Sequence, residues 1–116
     1  MPPSGFSQQA INGLLTFVRA TYENTLDRYR GRSLSEREHL RESIGYLEGV
    51  VKSTVPLALN GTVSREGVEG LAVFVSTNYV DLIAEITQGK KKEGEAIQVE
   101  LDNIGKYLAQ FKLEEN

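Results

Sequence analysis

The chain contains no cysteine. Disulfide staples, thiolate zinc sites and cysteine nucleophiles are therefore excluded, and a cytoplasmic location is the compatible expectation. Other reactive equipment is equally sparse. There is a single histidine, His39, and neither a G-x-S-x-G nucleophile turn nor a phosphate-cradling glycine loop. Long apolar runs are missing too. The longest, from Leu71 to Val75, falls far short of the ~20 residues a membrane-spanning helix needs. The opening Met1-Pro2-Pro3-Ser4-Gly5 lacks the basic start and apolar stretch of a signal peptide. With a net charge of −3, a general electrostatic nucleic-acid binder is not expected.

What is present is an ordinary globular composition: 116 residues, 40% hydrophobic and 25% charged, with three prolines. That size suits one domain, expected over residues 1–116, and buries roughly two thirds of the unfolded surface. The charge is uneven. Residues 1–56 carry a net +1 and residues 57–116 a net −4.

Internal similarity is the most informative feature. Ser7–Tyr22 aligns with Ser64–Tyr79, with identities at Ser7/Ser64, Gly13/Gly70, Leu14/Leu71, Phe17/Phe74, Val18/Val75 and Tyr22/Tyr79. A second, looser match places Ile44-Gly45 against Ile104-Gly105, then Tyr46-Leu47 against Tyr107-Leu108 after one inserted residue. The repeats span about 6–56 and 63–113. Both open with the same helix-starting device. Ser7 and Ser64 are candidate N-caps, and the pairs Phe6/Ile11 and Val63/Val68 have the spacing of a hydrophobic staple.

The spacing of apolar residues predicts four helices. The first runs to about Arg30 on a face of Ile11, Leu14, Leu15, Val18, Tyr22, Leu26 and Tyr29, and ends at Gly31. Ser35-x-x-Glu38 is a capping box opening the second, whose face is Leu40, Ile44, Leu47, Val51 and Val55. Pro56 is expected to stop or kink it, and Asn60-Gly61 is a turn signal. The third helix buries Val68, Leu71, Ala72, Val75, Tyr79, Leu82, Ile83 and Ile86, with Val73, Phe74 and Val80 on other faces. A helix apolar on several sides is either central or faces a partner chain. Gly89 to Gly94 reads as a loop. The fourth helix carries Ile97, Leu101, Ile104, Leu108 and Phe111, although residues 95–101 also alternate as a short strand would. The expected architecture is all-α: an antiparallel four-helix bundle of two tandem, internally repeated hairpins, forming a homodimer or higher homo-oligomer. The bundle is either intramolecular or exchanged between chains.

Candidate sites divide into two groups. The first is a protein interface. It comprises Val73, Phe74 and Val80, together with Gly45-x-x-x-Gly49, where two interior glycines invite close approach of another helix or leave room for a ligand. The second is a site for a small anionic ligand such as a nucleotide. Arg28, Arg30 and Arg32, with Arg37 and Arg41 nearby, surround the first hairpin turn, and Lys90, Lys91 and Lys92 the second. The repeat-matched Tyr22 and Tyr79 could place hydroxyls between the halves, or sit at the core edge with hydroxyls in water. Cations at helix C-termini also simply complement the macrodipole. Glu36-x-x-His39 has the spacing of one half of a di-iron carboxylate site, but its second half is missing and Glu36 fits a cap role, so neither metal nor cofactor is expected. The resulting expectation is a non-catalytic protein–protein interaction or scaffold module that self-associates. The alternative is a binding or sequestering protein for a small anion at the basic turns.

Overall fold

The computed structural model describes residues 6–30, 35–58 and 64–110. Four helices account for nearly all of them: α1 (Gln8–Arg30), α2 (Glu36–Ala58), α3 (Arg65–Thr87) and α4 (Glu93–Ala109). No strand occurs among the described residues, and residues 95–101 are helical.

Three of the four helices start as their sequences dictate. Ser7 Oγ accepts from Ala10 N at 3.1 Å, Ser35 Oγ from Glu38 N at 3.2 Å and Ser64 Oγ from Gly67 N at 2.9 Å. Each hydroxyl satisfies a first-turn N–H that has no partner within its own helix. The fourth helix begins differently. Lys92 occupies the cap position without a side-chain bond, and Glu93 and Glu95 supply negative charge to the first turn. That start absorbs Glu93 and Gly94 into α4 and shortens the expected loop. Gly89, at φ 70°, makes the left-handed turn leaving α3, a conformation glycine adopts without a Cβ penalty. α2 passes Pro56 and ends at Ala58. Gly31, Asn60-Gly61, Val63 and Phe111 lie outside the described residues.

The helices pack around one core. Ile11, Leu14, Val18 and Leu26 of α1 meet Leu47, Val51 and Val55 of α2, the buried stripe of α3, and Ile97, Leu101, Ile104 and Leu108 of α4. α3 is the central element. It packs most extensively on α2, then on α4, and α1 reaches it through Tyr22. This accounts for the apolar residues on several faces of α3. α1 lies mainly against α4 and touches α2 only slightly, so the first two helices are splayed although a short segment joins them. Among the described residues no helix is long and apolar enough to cross a membrane.

The close approaches between helices occur at two glycines. At Gly105 a Cβ would stand 3.5 Å from Leu15 Cδ1, and at Gly70 it would stand 3.3 Å from the Tyr107 hydroxyl. Gly45 and Gly49 are exposed and face open space. Among the described residues no other helix is seated on them.

Candidate functional site

Seven polar side chains are buried among the described residues: Thr21, Thr25, His39, Ser43, Ser76, Asn78 and Glu100. Four of them satisfy themselves locally. Thr21 donates to Phe17 O, Thr25 to Thr21 O, Ser76 to Val73 O and Asn78 to Phe74 O, each a carbonyl one turn back in its own helix. Of the other three, His39 and Ser43 belong to a polar centre that links α1, α2 and α3, and Glu100 of α4 acts on it electrostatically.

The middle of this centre is a tyrosine pair. Tyr22 and Tyr79 are both fully buried, with ring centroids 5.5 Å apart and planes tilted by 47°. Aromatic pairs in such a tilted arrangement gain about 0.5–1.5 kcal/mol beyond their buried area. The Tyr22 hydroxyl donates to Val75 O at 2.7 Å, tying α1 to α3. On the far side, the Tyr79 hydroxyl shares a 2.8 Å hydrogen bond with His39 Nε2, tying α3 to α2. Ser43 Oγ lies 3.3 Å from His39 Nδ1 one turn along α2. The structure therefore brings the two repeat-matched tyrosines together in the core interior, not at its edge. Their hydroxyls are engaged by the protein. Burial pushes the Tyr22 phenol well above its ordinary value, with Glu100, Tyr79 and Asp81 adding to the effect. It stays protonated and acts as a donor.

Glu100 on α4 completes the centre. It is 1% exposed, and its Oε2 has no hydrogen-bond partner. Its carboxyl is raised to about 7, by burial first and by Asp81 and Glu85 of α3 next, against the opposing effects of Asn103 and Lys91. Desolvation dominates because an ionised carboxylate is the form that loses most on leaving water.

The side chains expected at an interface lie on α3. Val73 is 54% exposed, and Val80, two turns on and on the same face, is half-buried. Phe74 is half-buried and stacks on Tyr107 of α4, with centroids 4.3 Å apart and planes within 12° of parallel. This stack borders an open groove of about 440 Å³ between α3 and α4, also lined by Asn78, Asp81, Asn103 and Lys106.

The basic turns are less open than their sequences suggest. The Arg28 guanidinium lies over the Tyr46 ring, 4.9 Å from its centroid, an ordinary cation–π distance. Lys91 Nζ is 3.9 Å from Glu85 Oε1. Lys90 is exposed. The Arg30 side chain and the whole of Arg32 lie outside the described residues. Arg37 and Arg41 share their stretch of α2 with Glu38 and Glu42, which balances the charge there.

Burial of His39 and Glu100 was not anticipated from the apolar pattern, yet the spacing carries a signal. His39 precedes Ser43 and Leu47 by one and two turns, and Glu100 stands among Ile97, Leu101 and Ile104 on a single helical face. Comparison with protein-family models, curated proteins and solved structures gave no match.

Proposed function

We propose that this protein is a non-catalytic helical interaction module that self-associates and engages a protein partner through the outer face of α3. The observation that carries this reading is Val73, a branched apolar side chain 54% exposed next to the Phe74–Tyr107 stack. An apolar residue left in water gains when a second surface covers it, at roughly 25 cal/mol per Å² of apolar area. The engagement of the buried tyrosine hydroxyls and of His39 within the protein favours a structural role for that centre over a reactive one.

The module is, in our reading, an antiparallel bundle of two related hairpins. Its support is that Arg19 Nη2 bonds Gln98 Oε1 at 2.7 Å while Leu15 lies against Gly105, so that α1 and α4 contacts run in opposite senses. The shared Ser7 and Ser64 caps and the Tyr22–Tyr79 pair support the repeat. The cysteine-free composition suits a reducing compartment, and we place the module in the cytoplasm. The anionic-ligand alternative has less support, because Arg28 and Lys91 already have partners.

Sedimentation of the wild type and of Val73→Glu over a wide concentration range tests the reading. The wild type should associate and the variant should not, with unchanged helical circular dichroism because position 73 is exposed. A wild type that stays monomeric at the highest concentration would overturn self-association.

A further inference from the structure

Glu100 is the only buried carboxyl among the described residues. It sits on α4 where that helix meets α1 and α3. The groups facing it from α1 and α3 are the Tyr22 phenol and the carboxylates of Asp81 and Glu85; Asn103, on its own helix, donates a hydrogen bond, and Lys91 precedes the helix. Lys91 already lies beside Glu85 Oε1. Glu85 Oε2, like Glu100 Oε2, is buried without a hydrogen-bond partner. Two carboxylates and one ammonium thus act electrostatically on a carboxyl that is 1% exposed. A neutral carboxyl fits this site, whereas an ionised one is both desolvated and repelled.

We propose that Glu100 is a proton-operated latch on α4: its neutral carboxyl lets α4 lie against α1 and α3, and its ionisation loosens α4 from them. The working range lies between the ordinary 4.5 and the raised value of about 7, set by burial first and by Asp81 and Glu85 next. The unfolded or detached form binds its proton less tightly than the packed form. Stability contributed by the protonated group is therefore complete below the ordinary value and is lost as pH rises through about 7. The full effect on the opening equilibrium is at most roughly 300-fold, the ratio of the two acid constants. The latch is independent of the interaction reading and concerns α4 rather than the outer face of α3. The single histidine, His39, bonds Tyr79 between α2 and α3, so a change confined to α4 is not its doing.

Hydrogen exchange on the full chain, corrected for intrinsic rates and compared at roughly pH 4 and roughly pH 8, outside both acid constants, tests the latch. The expected result is that Glu93–Ala109 amides lose up to roughly 300-fold more protection than α2 amides at the higher pH. In Glu100→Gln, which keeps the shape without the charge, the α4 to α2 ratio should not change with pH. Asp81→Asn removes one repelling carboxylate and should move the wild-type transition to lower pH, which keeps the test alive if the glutamine variant fails to fold. Wild-type α4 protection that is independent of pH, a loss shared equally by α2, the same pH dependence in Glu100→Gln, or an unmoved transition in Asp81→Asn would each overturn the proposal.

Discussion

Removing one oxygen from each core tyrosine separates two kinds of buried hydrogen bond. In Tyr22→Phe the lost bond is the 2.7 Å donation to Val75 O. That carbonyl lies within α3 and keeps its own helical partner, so no acceptor is orphaned. The cost should be that of one net hydrogen bond, about 0.5–1.5 kcal/mol. In Tyr79→Phe the lost partner is 2.8 Å from a ring nitrogen of His39, a side chain only 3% exposed. Taking that bond from a buried polar atom carries a desolvation penalty of about 1–3 kcal/mol. The rings and their 5.5 Å contact persist in both variants, so packing changes little. Tyr79→Phe should therefore be the more destabilising by about 1 kcal/mol, equivalent to ~4 °C in melting temperature for a chain of this length. Urea titrations followed by circular dichroism at fixed protein concentration measure both, with unchanged slopes reporting an unchanged unfolded state. Tyr22→Phe equal to or worse than Tyr79→Phe would refute the reasoning, as would two neutral variants.

Three other expectations follow from particular contacts. Ser64→Ala removes the 2.9 Å cap on Gly67 N and should cost about 0.5–2 kcal/mol of stability by urea titration. Gly45→Ala and Gly49→Ala add a methyl group into open space and should each stabilise an isolated chain by about 0.5–1 kcal/mol; if they also weaken association in sedimentation, a second chain packs on that face. Phe74→Glu should disrupt both association and the Tyr107 stack, whereas Val73→Glu should disrupt association alone, a difference that near-ultraviolet circular dichroism resolves from sedimentation.

The helices were legible because their signals are local. Ser7, Ser35 and Ser64 each act within one turn, and the three-and-four spacing from Ile11 to Leu26 or from Ile97 to Leu108 specifies one face of one helix. The end of α2 was less legible. Pro56 is a local stop signal, yet helical geometry continues to Ala58. Long-range relations were harder still. Aligning Tyr22 with Tyr79 in the sequence carries no information on whether the rings touch, since contact depends on how α1 crosses α3. His39 and Glu100 are polar by residue type, yet their helical positions place them inside. Gly45-x-x-x-Gly49 has the spacing of a helix-packing seat, yet among the described residues the close approaches fall at Gly70 and Gly105.

The splaying of α1 from α2 has a consequence for how the chain is made. The principal neighbour of α1 is α4, and the Arg19–Gln98 bond joins positions 79 residues apart. A ribosome adding about 5–20 residues each second needs roughly 4–16 s to travel between them. Throughout that interval α1 has its apolar stripe without its main cover, and α2 and α3 can pair before α4 is made. Of the four helices, the one that emerges before the others is thus among the last to be sheltered, and that is the stage at which a nascent-chain chaperone would have most to hold.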